Sequence, residues 1–245
     1  MSKKYSNKGY AARAAVQPQK DNTNLIITLV TVGLCLAVVA AIVIAIMVAT
    51  GAFSPKPAEI DMAEIKSEIN SCKTEDFAET DKVTEYVKIT VKDYGDIVLR
   101  LRPDVAPKSV KNFQNLVKEG HYSGKIFHRV IQDFMIQGGG IDGTGKRHDT
   151  SAIIGEFTQN GFTNNLKHVR GVLSMARTND PNSGSNQFFI CDADSSHLDD
   201  GYAAFGYVLA GMDVVDKIAA VDTDGNDKPY DNVIIEKAVF VNPLK

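Results

Sequence analysis

The order of apolar and polar positions divides the chain into stretches of different character. Leu25 to Val48 reads LIITLVTVGLCLAVVAAIVIAIMV, 24 residues without one charge, Asn or Gln. About 20 apolar residues at 1.5 Å rise cross the hydrocarbon core of a bilayer, and a soluble core helix this long would keep a polar face. The stretch therefore predicts one transmembrane helix over residues 25–48. Ser54-Pro55-Lys56-Pro57 cannot continue a helix, because proline lacks the amide donor and clashes with the preceding turn. Between Glu59 and Ile69 the apolar Ile60, Ala63, Ile65 and Ile69 follow a helical spacing only loosely. A short helix and an irregular tether both fit there, and residues 49–82 are expected to be a stalk.

Beyond residue 83 short periods take over. Residues 86–91 and 96–101 alternate apolar and polar around Lys92-Asp93-Tyr94-Gly95, the pattern of a hairpin with one buried face. Ala106-Pro107-Lys108-Ser109 opens a helix carrying Val110, Phe113, Leu116 and Val117 on one side, with Gly120 past its end. Proline in the first turn and glycine after the last are helix punctuation. Strand-like runs follow at 125–130, 134–137, 171–175, 187–191 and 203–208. A second helix is predicted at 212–220, with Val214, Val215 and Ile218 inward, and a last strand at 232–240. Many strands, two helices and no regular βαβ alternation predict a mainly β fold, a closed antiparallel barrel with capping helices.

Composition adds exclusions. With 44% hydrophobic and 23% charged residues, the chain is neither largely disordered, nor collagen-like, nor polytopic. A net charge of −3 and a pI near 6.0 argue against a nucleic-acid partner. The charge is uneven, however. Lys3, Lys4, Lys8, Arg13 and Lys20 stand against Asp21 alone in residues 1–24, whereas the remainder holds 22 basic and 29 acidic side chains. The positive-inside bias then leaves residues 1–24 as a cytoplasmic tail and puts the rest outside the cell membrane. A cleaved signal peptide is the competing reading, for which Ala49-Thr50-Gly51 offers small residues, but its apolar region usually runs only about 7–15 residues. A lipoprotein signal at Cys35 fits poorly, because Leu34 precedes it and apolar residues continue well beyond. Three cysteines cannot build a disulfide framework and no CxxC pair suggests zinc. Cys72 lies in a polar stretch and is expected to be exposed; nothing pairs it with Cys191.

The candidate chemistry lies between the strands. Phe127-His128-Arg129-Val130-Ile131-Gln132-Asp133-Phe134-Met135-Ile136-Gln137-Gly138-Gly139 is followed by Gly171-Val172-Leu173-Ser174-Met175-Ala176-Arg177, by Ser185-Asn186-Gln187-Phe188-Phe189-Ile190, and by Leu198-Asp199 with Ala204-Phe205-Gly206. In order and spacing, these blocks resemble the cyclophilins, peptidyl-prolyl cis-trans isomerases whose domain would span residues 83–245. The resemblance implies an eight-stranded antiparallel barrel capped by two α-helices. It implies Arg129 as catalytic donor, with Phe134 and Gln137 beside it. Met135, Phe189 and Leu198 would complete a proline pocket, Gln187 would contact the substrate backbone, and Ala176 and Arg177 would form the peptide-binding edge. His197 stands where tryptophan is frequent, Tyr202 where histidine is, and Arg177 where asparagine is. Cyclosporin-type ligands of the family dock partly on that tryptophan.

The chemistry can also be argued directly. Rotation of a prolyl bond is opposed by amide resonance, with a barrier of about 18–20 kcal/mol. It needs neither nucleophile nor metal, and a cation donating to the pyramidal nitrogen of the twisted amide stabilises the transition state alone. Arg129 and His128 are the charged or chargeable side chains between Phe127 and Ile131, and strand alternation would send them to opposite faces. His128 has no Ser or Cys placed for it to activate and reads as structural. The glycine run 138–145 lacks the GK[ST] ending of a phosphate loop. No cofactor and no metal are expected. The reading is a membrane-anchored, monomeric isomerase of a bacterial cell surface, acting on proline-containing polypeptides that fold after export and held to membrane lipid by residues 25–48. A non-catalytic module binding proline segments is the alternative.

Overall fold

The structure, a computed structural model, describes residues 60–244. The predicted tail at 1–24 and transmembrane helix at 25–48 lie outside these residues. Among the described residues, no helix is long and apolar enough to cross a membrane.

Strands β2 (Tyr86–Val91) and β3 (Gly95–Leu101) form the expected hairpin. In β2 the alternation works as predicted: Val87, Ile89 and Val91 are buried while Tyr86, Lys88 and Thr90 stay half-exposed. The other strands are β4 (Lys125–Ile131), β5 (Met135–Asp142), β6 (Val172–Met175), β7 (Phe188–Cys191), β8 (Ala204–Ala210) and β9 (Val233–Pro243). Their order is β9-β2-β3-β8-β6-β7-β5-β4, all antiparallel, and β4 pairs back onto β9 through Ile126↔Ile234 and Phe127↔Val233. That last pairing closes an eight-stranded barrel. Helix α2 (Pro107–Lys118) buries Val110, Phe113, Leu116 and Val117, and α3 (Met212–Ala219) buries Val214, Val215 and Ile218, all in the cluster that fills the barrel. Phe113 lies at its centre, edge-on to Phe188 at 5.5 Å between ring centroids and beside Tyr122 and Phe205.

Two departures from the sequence pattern have physical causes. Every residue of β8 is buried, because both faces are covered. Phe205 and Val208 point into the barrel cluster, while Ala204, Tyr207, Leu209 and Ala210 join a second cluster outside it. The second departure is β5, which runs through Gly138-Gly139-Gly140 instead of ending at Gln137. A Cβ at position 140 would lie 2.5–2.8 Å from the Gln187 side chain, so the missing side chain makes room for one that the site uses.

The stalk reading fails over most of its described length. Helix α1 (Met62–Glu68), capped by the Asp61 carboxylate on the Ala63 amide at 2.8 Å, leads through a 3-10 turn (Thr74–Asp76) into β1 (Phe77–Glu79). The segment is strapped onto the barrel. Ile65 and Phe77 are buried in the outer cluster. The Asn70 and Cys72 amides donate to the carbonyls of Val208 and Leu209. Strand β1 pairs with the end of β9, Phe77↔Pro243 to Glu79↔Val241, which is why β9 continues past the predicted residue 240. Glu68 accepts from Arg100 Nη1 at 2.7 Å and from the Tyr207 hydroxyl. A seven-residue helix with one fully buried side chain carries too little period to be read from sequence. Cys72, expected to be exposed, is half-buried within this strap, and Cys191 is buried; both are free thiols.

Candidate active site

The site is built on the outer faces of β4, β5 and β7. Strict alternation fails in β4: Phe127 and Val130, three residues apart, both enter the barrel cluster. The cause is a register shift between Phe127↔Gly138 and Arg129↔Gln137, which leaves His128 as an extra residue. Such a bulge re-aims the side chains after it, and here it delivers Arg129 to an open cleft. Arg129 then sits opposite Gln137, and Gln137 opposite Phe189, in one cross-strand row. The next row on that face is Ile131, Met135 and Cys191. A guanidinium and an amide thus stand beside an apolar floor as a direct result of strand register.

Arg129, Phe134, Met135, Gln137, Ala176, Arg177, Phe189, Leu198 and Tyr202 line one cavity of about 140 Å³. Nine of the eleven predicted site residues therefore meet in one place. Of the other two, Gln187 lines the adjoining cavity and accepts from Gln137 Nε2 at 2.9 Å. His197 is exposed on the rim, its ring 5.2 Å from that of Phe134. Phe134 ends the β4–β5 turn, where Asp133 adopts φ +59° and its amide donates to Asp192 Oδ2 at 2.9 Å. Leu198 is carried by a 3-10 turn (Ser196–Leu198). Arg177 forms a wall: its guanidinium lies 4.5 Å from the Tyr202 ring centre and 5.1 Å from that of Phe157, and its Nε donates to the Gly201 carbonyl at 2.8 Å. These contacts occupy the face of the cation and hold the rim closed on that side.

Beneath the floor lies an arrangement that sequence reasoning missed. His168 is 1% exposed; its Nδ1 meets Asp199 Oδ1 at 3.0 Å and its Nε2 meets the Ser174 hydroxyl at 3.0 Å. The order Ser-His-Asp resembles a nucleophilic triad, but Ser174 is fully buried and no substrate can reach it. The His168 ring stacks on Phe189 at 6.0 Å, so the trio braces the apolar floor and the turn bearing Leu198. Burial pushes the His168 imidazole below its ordinary pKa, against the pull of Asp199. His128 is likewise lowered by burial. Asp227 was also missed: its carboxylate lies 3.3 Å from Arg129 Nε, 98 residues away in the chain.

An antiparallel barrel with an open apolar cleft, a cation at its wall and no Ser, Thr, Cys or Lys among the cleft's lining residues is suited to holding an apolar ring beside a hydrogen-bond donor. The sequence pattern of the cyclophilin type peptidyl-prolyl cis-trans isomerases matches residues 86–240. A peptidyl-prolyl cis-trans isomerase of Acinetobacter baylyi is 50% identical over 134 residues, covering 53% of this chain and 69% of the relative. Peptidyl-prolyl cis-trans isomerase B of Escherichia coli is 44% identical over 156 residues, covering 59% and 93%. Among solved structures, a cyclophilin-type isomerase of Cryptosporidium parvum, crystallised in the presence of the dipeptide Ala-Pro, superposes with a TM-score of 0.54 at 32% identity, covering 63% of this chain and 98% of that one. The chain belongs to the cyclophilin family, and it is a peptidyl-prolyl cis-trans isomerase; the enzyme reading of the sequence stands over the binding-only alternative.

Proposed function

We propose that Arg129 is the catalytic donor and that the neighbouring cleft seats the proline of an X-Pro segment. The observation that carries this is the cross-strand row Arg129–Gln137–Phe189 at the edge of the apolar floor. A ring seated against Met135, Phe189 and Leu198 leaves its amide nitrogen facing the guanidinium. The planar amide has no lone pair to offer, so the hydrogen bond forms only as the bond twists. Gln137, held by Gln187, supplies a polar contact to the substrate backbone. The test is cis/trans exchange of an X-Pro peptide by the full chain in detergent micelles. Arg129→Ala should lower kcat/KM by about ten- to a thousandfold, roughly 1.4–4 kcal/mol of transition-state stabilisation. A folded variant with full activity refutes the role.

The clients, in this reading, are proteins folding outside the cell membrane after export, where uncatalysed prolyl isomerisation takes tens to hundreds of seconds. The uncharged stretch 25–48 and the basic residues 1–24 support a single-pass anchor with its N-terminus in the cytoplasm. Protease added to intact cells should digest the domain while residues 1–24 stay protected. A domain that survives until the cells are lysed refutes this placement.

A further inference from the structure

We propose that Asp227 is a positioning residue for the isomerase reaction, its carboxylate holding the Arg129 guanidinium through Nε and leaving the two terminal nitrogens for the cleft. The inference rests on the role given above to Arg129. Arg129 Nε donates to Asp227 Oδ2 at 3.3 Å, and no other hydrogen bond of the Arg129 side chain occurs among the described residues. Both side chains are about 40% exposed. A free arginine there would lose considerable rotamer freedom on meeting the substrate, and a guanidinium already fixed at one nitrogen loses less.

The loop that presents Asp227 is tied down independently of its carboxylate. The Asp227 carbonyl accepts from the Val130 amide at 2.8 Å, next to the catalytic arginine in the chain, and its own amide donates to the Asp224 carbonyl at 3.0 Å. Asp224 Oδ1 accepts from the amides of Asn226 and Lys228, and Thr223 and Pro229 bridge the loop's base. Asp227 itself has φ +63°, a conformation that costs most residues energy but suits Gly, Asn and Asp. The main chain alone therefore sets the carboxylate beside Arg129, and the carboxylate is not needed to keep the loop in place. Among the described residues, the Asp227 carboxylate makes no hydrogen bond or ion pair other than the one to Arg129.

The experiment is a double-mutant cycle on the full chain in detergent micelles, with kcat and KM measured separately on an X-Pro peptide. Asp227→Gly removes the side chain without backbone strain, and Asp227→Asn keeps an acceptor of the same shape. Asp227→Gly should lower kcat about two- to fivefold with KM unchanged, the scale of one exposed charge-assisted bond. Asp227→Asn should recover most of that loss. In the Arg129→Ala background Asp227→Gly should change nothing. The proposal is overturned if Asp227→Gly leaves kcat unchanged or raises it, or if the loss persists without Arg129. Should Arg129→Ala itself stay fully active, the catalytic reading of Arg129 falls and this one with it; a defective Arg129→Ala beside an unaffected Asp227→Gly refutes the positioning role alone.

Discussion

Glu68→Ala removes an acceptor on which two donors converge, Arg100 Nη1 at 2.7 Å and the Tyr207 hydroxyl. Arg100 Nε already has no partner, so after the substitution the guanidinium keeps only the Tyr207 hydroxyl at 3.2 Å. A bond to a charged group contributes about 1.5–3 kcal/mol when water is excluded. The Glu68 and Arg100 side chains are 28% and 34% exposed, so water replaces part of what is lost. The expected net cost is about 1.5–3 kcal/mol for the pair of bonds together. Ile65 and Phe77 still hold the strap, and activity should not change. The assay is urea unfolding of residues 60–245 followed by circular dichroism, since the chain has no tryptophan. With a slope of about 1–3 kcal/mol/M, the midpoint should fall by about 1 M at pH 7. Acid provides a second arm. Burial alone would raise the Glu68 pKa, but the bonds from Tyr207 and Arg100 outweigh it, and the carboxyl sits below its ordinary value of 4.5. A carboxyl depressed in the folded state contributes its full stability above the unfolded value and loses it as pH falls through the folded one. The gap between wild type and Glu68→Ala should therefore be widest above pH 4.5 and narrow below it. A gap below about 0.5 kcal/mol at pH 7, or one of equal size at pH 3, would refute the clasp, since neither fits a charge-assisted bond.

Two further outcomes follow from the packing. A fragment beginning at residue 83 loses the burial of Ile65 and Phe77 together with the β1–β9 pairing. It should unfold about 3–5 kcal/mol more easily than residues 60–245; equal urea midpoints would restore the stalk. His197 packs on Phe134 at the cleft rim, so His197→Trp should tighten cyclosporin inhibition by about 1–2 kcal/mol while peptide turnover changes little. Equal inhibition constants in a titration of the two forms would assign drug affinity to Arg177 or Tyr202 instead.

The proposed membrane anchor at residues 25–48 rests on sequence alone, on twenty-four consecutive positions without charge or amide. Strand β2 was legible because its one buried face imposes a period of two within neighbouring residues, whereas β3 buries Val98 on its outer face as well as Ile97 and Leu99 on its inner one. The blocks around Arg129, Gln187 and Leu198 named the cleft residues through their joint resemblance to the cyclophilins, since residue by residue they read as ordinary core, strand or surface positions. What no stretch of chain contains is register. The bulge at His128 exists only in the pairing of β4 with β5, and it overrides the alternation that would have turned Arg129 away from Gln137. The strap was misread as a stalk because its seven-residue helix is held by Arg100 and Tyr207, far along the sequence. Asp227 reads locally as a turn residue and becomes a partner of Arg129 only when the barrel closes. Local burial writes a period into adjacent residues, whereas contacts between elements depend on how strands slide and close against one another, and that is decided by the packed whole.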